Sequence, residues 1–459
     1  MLRYGLHPFS GHGSAQLYGG YEEGGYHPAF MPESLWKAGA SANGTVHWAR
    51  TSLQGSFSFE QMEGKNVFTS MFLEPGYFPV DILELTPGPK TRQTYRLEAS
   101  SLTDISDGWA VGIKAGYMAD NYSKRKDIRY TSSGMKLRLE PTVSLILGDV
   151  GLSLAYIFSL RNESIEADRQ GSATAQSYNV FLDKGMRYGT YLTWGGGGVD
   201  AFPVREYTNG FAYMMKHTKV ELGMELLWKQ GRVGEKGFDW FRYPGRSLSL
   251  FMTRIFSGGH RLGFSMDLHE DYLQEAALEQ KASEGVTTLP VYRYSPVSDR
   301  TWSSMDLSYD HRFSSHFLKS LKAALHLGLL GEESYPVAPY TNRNDRYIAS
   351  LALISAWVFG PVDMMLRLNG GMGRWEETGL QGGAPDAESA PLRLTPDWMR
   401  KMEYLSTTKA GGGLTLKYRF KAVKGLYIQA DGTYLHGFGV ELLPGANRWS
   451  LTSRVGYNF

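Results

Sequence analysis

Cysteine is absent from all 459 residues, which excludes a disulfide framework, thiolate catalysis and thiolate metal sites, and suits a chain that crosses an oxidising compartment without mispairing. Neither sign of charge prevails, since 48 Lys and Arg stand against 46 Asp and Glu. The basic excess that marks a nucleic-acid partner is therefore missing. So is any run of about 20 apolar residues, the minimum for a membrane-spanning helix, and mean hydropathy is slightly negative at -0.32. The opening MLRYGLHPFSGHGS has no charged start leading into an apolar core, so no secretory signal is read there.

What the chain does have is 28 Tyr, 22 Phe, 11 Trp and 54 Gly, set in short runs where apolar and polar residues alternate. It is too long for one ordinary soluble core, which stops growing at roughly 250 to 300 residues, yet no Pro/Gly/polar linker divides it. One continuous domain over residues 1–459 is expected, opening with a short segment 1–12. Met135, Leu137, Leu139, Val143, Leu145 and Leu147 share one strand face, with Lys136, Arg138, Glu140, Thr142 and Ser144 on the other. Gly148-Asp149 then makes a tight turn, after which Leu152, Leu154, Tyr156, Phe158 and Leu160 oppose Ser153, Ser159, Arg161 and Glu163. This is a long hairpin, its strands of about 10 residues or more suited to crossing a bilayer at a tilt. The pattern recurs at Val220–Trp228, Leu262–Leu268, Val362–Leu368 and Leu414–Phe420. In the final stretch, Trp449, Leu451, Val455, Tyr457 and Phe459 alternate with Ser450, Thr452, Arg454, Gly456 and Asn458.

Connection lengths separate a soluble sandwich from a membrane barrel, which has short turns at one end and long loops at the other. Short links fall at Ala49-Arg50-Thr51, Ile105-Ser106-Asp107, Gly148-Asp149, Lys216-His217-Thr218, Ser257-Gly258-Gly259, Phe359-Gly360 and Ala422-Val423-Lys424. Long ones cover Glu63 to Lys90, Ala119 to Thr131, Arg232 to Gly245, Leu273 to Asp299, Glu332 to Asn344 and Glu376 to Glu403. The fold class expected is all-β: a transmembrane antiparallel up-and-down β-barrel in a Gram-negative outer membrane, with short periplasmic turns and long extracellular loops. About 18 to 20 strands are anticipated, an even number, the first near Gly13 to Glu22. The segment Ala175 to Met215 is the hardest to place in that count.

On the inward faces of the predicted strands lie Lys136, Arg138, Glu140, Arg161, Glu221, Glu225, Asp363, Arg367, Lys417, Arg419 and Arg454. These are the candidate lumen-lining residues, and their mixed signs imply no strong ion selectivity. One connection stands apart. Between residues 63 and 90, within Asn66 to Thr91 (NVFTSMFLEPGYFPVDILELTPGPKT), apolar side chains crowd among four prolines. A freely exposed loop is seldom this apolar, so it is expected either to fold into the barrel as a constriction or to grip a partner. Phe72, Tyr77, Phe78, Asp81 and Glu84 are its candidate residues. The segments Gly237 to Tyr243 (GFDWFRY) and Trp375 to Glu377 are weaker partner loops, and Gly195 to Gly198 reads as a flexible connection rather than a phosphate loop.

No catalytic constellation stands out. The 11 histidines lack zinc spacing, although Asp267 and His269 share a strand face, as do Asp306 and Asp310 near Arg312. Lumen charge pairs account for these sets, with an outer-membrane hydrolase the less favoured reading. No cofactor and no metal is implied.

The opening GSAQLYGGYEEGG (Gly13 to Gly25), the loop core Met71 to Thr91 and the Phe459 ending resemble an uncharacterised family of outer-membrane β-barrel proteins from the Bacteroidota, a domain of unknown function, over nearly the whole chain. The resemblance implies an outer-membrane barrel whose members carry a signal peptide; it supplies no activity and no functional residues. An aromatic last strand ending in Tyr457 and Phe459 also resembles the signal read by the outer-membrane barrel assembly machinery. The function expected is a passive or partner-assisted, porin-like channel for small solutes, or alternatively a non-transporting accessory barrel of a surface uptake complex. Its partners would be outer-membrane lipid, the assembly machinery and another outer-membrane uptake protein, with no nucleic acid. An energised receptor would need a large plug domain ahead of the barrel, whereas about a dozen residues precede the first predicted strand.

Overall fold

A computed structural model describes residues 9–126, 128–167, 178–186, 188–194, 199, 201–235, 238–278, 281–283, 286–288, 291–337, 340–379 and 396–459. Gly195 to Gly198 and residues 1–8 lie outside them. The strands in chain order are Phe9–Glu23 (β1), Ser34–Trp48 (β2), Thr51–Ser70 (β3), Asp81–Ser106 (β4), Trp109–Lys124 (β5), Tyr130–Leu147 (β6), Val150–Ala167 (β7), Tyr178–Asp183 (β8), Gly189–Trp194 (β9), Ala201–Lys216 (β10), Val220–Glu235 (β11), Phe238–Ile255 (β12), His260–Leu278 (β13), Lys281–Ser283 (β14), Val286–Thr288 (β15), Val291–Arg312 (β16), Leu318–Val337 (β17), Tyr340–Phe359 (β18), Val362–Gly379 (β19), Lys409–Arg419 (β20), Leu426–Gly437 (β21) and Asn447–Asn458 (β22). A helix, α1, spans Pro396–Ser406. Among the described residues no helix is long and apolar enough to cross a membrane.

Eighteen of these strands close into one antiparallel barrel. Each pairs with the next in sequence, except that β7 pairs with β10 and β13 with β16, which leaves the hairpins β8–β9 and β14–β15 out of the wall. The uncertain segment Ala175 to Met215 thus holds the hairpin β8–β9 and the barrel strand β10. The seam is β1 against β22, closed at its end by Gly13 N–H to Phe459 O at 2.8 Å and Phe459 N–H to Gly13 O at 2.9 Å. Closure removes the unpaired edges that no open sheet can carry into lipid.

The turns at one end are tight. Gly148 and Gly360 sit at φ of 57° and 59°, the left-handed values that two-residue hairpins need and that glycine adopts without a Cβ clash. All seven expected short links are present, and residues 313–317 between β16 and β17 make an eighth.

Outside the barrel, large apolar side chains such as Leu17, Leu154, Leu351 and Val455 stand exposed. Aromatic rings bound them at two heights, Tyr21 with Trp449 at one and Tyr457 with Phe459, Trp357 with Phe359 and Tyr418 with Phe420 at the other. Trp449 on β22 and Phe459 just past its end are ten residues apart, about 25 Å once tilt is allowed for, the height of the apolar band of an outer-membrane barrel. The protein is an integral barrel of the outer membrane.

Beyond the upper ring the strands continue. β3 runs to Ser70 and β4 starts at Asp81, so the long connection of Glu63 to Lys90 shrinks to residues 71–80. Arg232 to Gly245 and Glu332 to Asn344 are likewise mostly strand, and both GFDWFRY from Phe238 on and Trp375 to Glu377 are ladder residues of β12 and β19 rather than loops. The first strand starts at Phe9, not Gly13. The physical reason is common to all: above the lipid neither face meets hydrocarbon, so the alternation that reveals a membrane strand fades while its backbone pairing persists.

Candidate functional site

Residues 71–80 turn inward. Met71, Phe72, Phe78 and Val80 form one buried cluster with Ile82 of β4, Val180 and Leu182 of β8 and Trp194 of β9. Phe72 and Phe78 keep only 2% and 4% of their surface exposed. The wall meets them with apolar side chains pointing the opposite way from those below: Ile165 on β7, Val204 on β10, Val233 on β11, Tyr243 on β12 and Leu273 on β13. On β11, Leu222, Met224 and Trp228 are exposed outward at even positions whereas Val233 is buried at an odd one; β13 repeats the switch from Leu262 and Leu268 to Leu273. This change of apolar parity within a strand marks where its burial passes from lipid to an internal plug. The switch is present in the sequence, but it shows only when both faces of a strand are compared.

Polar groups fix the loop's backbone. Leu73 N–H donates to Glu163 Oε1 at 2.7 Å, where Ser132 Oγ also donates at 3.0 Å, and Arg92 donates to Leu73 O at 3.1 Å. Arg161 pairs with Glu74 at 3.0 Å and lays its guanidinium 3.8 Å from the centre of the Tyr77 ring. The Tyr77 hydroxyl donates to Glu206 at 2.6 Å; burial, and then the nearby Glu206 carboxylate, push its pKa up. From the far wall, Arg300 donates to Gly76 O and, at 2.6 Å, to Tyr77 O, and reaches Asp271 at 2.9 Å. Asp271 also pairs with Lys229 at 2.5 Å and His269 at 2.8 Å. Every buried charge here has an opposite partner, the condition under which ions stand removal from water.

Of the other two loop candidates, Asp81 accepts from Ser70 Oγ at 2.9 Å at the point where β4 pairs with β8. Glu84 is fully buried, 3.0 Å from Lys90 and bonded to Lys124. The β8–β9 hairpin then crosses the mouth, with Lys184 on Glu275 at 2.6 Å and Gly185 so close to Ser298 of β16 that a Cβ there would lie 2.7 Å from it. Helix α1 fills the other side. Trp398 and Met402 are buried, and Glu403 accepts the backbone N–H groups of Glu441, Leu442 and Leu443. A Cβ on Gly373 of the inner wall would meet Leu405 O at 2.2 Å, so no larger residue fits beneath the helix. Between α1 and the plug loop a narrow gap of about 110 Å³ remains, lined by Phe78, Arg300, Glu332 and Trp398 among others.

Below this layer many inward side chains are polar and half-buried. Arg138 bridges Glu140 at 2.5 Å and Glu225 at 2.9 Å, spanning from β6 to β11. Glu221 lies 3.3 Å from Lys216 and 3.6 Å from Arg261, Asp363 pairs with Arg419, Arg454 with Asp431 at 3.1 Å, and Lys417 stands 3.6 Å over the Tyr427 ring. Lys136 is on the same face as Arg161 in the next strand, and Arg367 is exposed to the lumen. Arg161 belongs to the plug layer. His269 bonds to Asp271 rather than to Asp267, while Asp306 pairs with His326 at 2.8 Å; neither set has a serine nucleophile bonded to its histidine among the described contacts. Among the described residues no three His, Cys, Asp or Glu side chains group as metal ligands.

The model of a family described as "Family of unknown function (DUF6850)" matches residues 1–459. No curated protein matches the chain. Among solved structures it is similar to the copper transporter OprC, at 9% identity and a TM-score of 0.46, covering 100% of this chain and 82% of that one. It is similar to the outer membrane transporter YddB from Escherichia coli at 9% identity and a TM-score of 0.45, over 97% and 80% of the two chains. A third is OccAB3 from Acinetobacter baumannii, at 11% identity and a TM-score of 0.39, over 98% and 99%.

Proposed function

The chain belongs to a family of unknown function, DUF6850, and on that premise we propose that it is a non-enzymatic outer-membrane channel for small solutes whose constriction is the loop 71–80. The observation that carries this reading is the layered lumen. A plug of loop, hairpin and helix packs the extracellular third, and beneath it a polar, water-accessible lumen continues to the periplasmic turns. An inner wall of paired charges suits a water-filled path, since such charges are costly in a dry core and unneeded in a solid one.

Opening then requires the loop to leave its bed. Its tethers are side chains on β4, β7, β10 and β16, so displacement needs ion pairs and charged hydrogen bonds to exchange with water while Phe72 and Phe78 lose their packing. A solute or a second uptake protein that binds the mouth supplies that free energy, which makes the route partner-assisted. Burial of Phe72 and Phe78 keeps them from gripping a partner in the closed arrangement, which weighs against the accessory-barrel alternative in its apolar-loop form. Outer-membrane lipid and the barrel assembly machinery complete the partners, with Tyr457 and Phe459 as assembly residues and a Bacteroidota source, as the resemblance of Met71 to Thr91 implies.

Planar-bilayer recording tests the reading. The intact barrel should conduct weakly and a variant with residues 72–79 replaced by a short Gly/Ser link should conduct several-fold more. A folded, loop-shortened barrel that passes no ions would overturn it.

A further inference from the structure

The periplasmic half of the lumen holds a recess of about 640 Å³ under the Arg138 bridge, walled by β3 to β7 and β10 to β12. Its floor carries small inward-facing residues, Gly112, Ala155 and Ala212, which leave room above the backbone. Around that floor stand Gln54, Ser56, Ser100 and Ser249, whose side chains form no hydrogen bond with another described residue. Their donors and acceptors are left for whatever occupies the recess.

One ring faces this polar wall. Phe251 lies across Gly223 of the neighbouring strand so closely that a Cβ on Gly223 would fall 2.0 Å from it. One face of the ring is thus pressed on bare backbone, and 38% of the residue is exposed on the lumen side. Tyr243 covers Gly231 in the same way, but the plug buries it. Phe251 is a flat apolar platform beside uncharged hydrogen-bonding groups.

We propose that this recess is a solute-binding site for neutral polyhydroxylated rings, of the size of a mono- or disaccharide, that stack their C–H face on Phe251 and hydrogen-bond to Gln54, Ser56, Ser100 and Ser249. The charges agree with a neutral ligand. Glu140 and Glu225 are engaged by Arg138, and Glu98 and Lys114 add one charge of each sign, so neither ion is favoured. The volume falls within the roughly 300–1,000 Å³ of small-molecule pockets, and a few polar groups around one aromatic face is how such pockets orient a ligand. This site deepens the channel reading, because it supplies a solute class and a resting place on the route.

The test separates the two. Maltose is titrated calorimetrically into the full, folded barrel in detergent, with gluconate as an anionic control, and conductance is recorded in parallel. The expected result is maltose binding in the millimolar range, about tenfold weaker in Phe251→Ala, kept in Phe251→Tyr, and weakened in Gly223→Ala, which displaces the ring without removing it. Should Phe251→Ala fail to fold, the pair Gln54→Ala with Ser249→Ala must weaken binding instead. The site is overturned by no maltose heat, by gluconate binding as tightly, or by affinity that ignores these substitutions. Binding without conductance sinks the channel alone, whereas conductance without binding sinks the site alone.

Discussion

Arg300, on the wall strand β16, donates to the carbonyl oxygen of Tyr77 at 2.6 Å across the lumen, and Tyr77 sends its own hydroxyl to Glu206 on the facing wall at 2.6 Å. The plug loop is therefore held from two sides by a single residue's backbone and side chain. A neighbouring contact of Arg300 with Asp271 at 2.9 Å orients the guanidinium and balances its charge.

Arg300→Gln should loosen the plug while leaving the barrel closed. It removes charged hydrogen bonds, each worth about 1.5–3 kcal/mol, and Asp271 retains Lys229. Bilayer recording should show longer or more frequent open events with heat-modifiable gel mobility unchanged; an unchanged open fraction would remove Arg300 as a latch.

Glu163→Ala should cost more than its small size suggests. The carboxylate receives Leu73 N–H and Ser132 Oγ–H in a buried place, and removing it strands both donors, at about 1–3 kcal/mol for each unsatisfied group. Protease nicking of the loop near Leu73 should speed up in this variant. Glu163→Gln, which keeps an acceptor, should be milder.

Acid should loosen the connection between β1 and β2. His27 is buried there with Nδ1 beside Pro28 O at 3.1 Å, and burial first, then nearby Arg448, lower its pKa despite Glu33. The unfolded segment takes up a proton at pH values where the folded one does not. Stability of this segment is therefore highest above the ordinary histidine range of about 6.5 and falls as pH drops towards the depressed folded value. Hydrogen-exchange protection factors of residues 25–31, taken relative to the intrinsic rate at each pH, should fall between pH 7.5 and 5.5, and His27→Gln should flatten the slope.

Replacing Leu154 by Arg tests the membrane face. Its side chain is exposed on the outer wall of β7, and arginine on the lipid face costs about 2–4 kcal/mol at the bilayer midplane. Folded yield into lipid vesicles should drop, while the neighbouring inward substitution Ser153→Arg should leave it nearly unchanged. Equal effects would mean the faces are misassigned.

Which face of each membrane strand looks to lipid could be read directly. Leu152 to Leu160, Leu222 to Trp228 and Leu451 to Phe459 all point outward as their alternation demands, because hydrocarbon contact filters every second residue. Arg138, Glu225, Asp363 and Arg454 occupy the opposite parity and meet partners across strands. Less was legible above the upper aromatic ring. There Phe238 to Tyr243 and Trp375 to Glu377 read as loops, although their backbones belong to β12 and β19.

The amino-acid sequence by itself determined the barrel, its outer-membrane setting, its inside and outside, and the presence of an unusually apolar connection, because each of these is a local pattern imposed by lipid or water on successive residues. Only the tertiary structure decided that Phe72 and Phe78 turn into the lumen, that β8–β9 leaves the wall, and that Phe251 rests on Gly223 above a recess. Those outcomes depend on closing the barrel. Residues hundreds of positions apart, such as Tyr77 and Arg300, become neighbours only when eighteen strands have fixed the circumference between them.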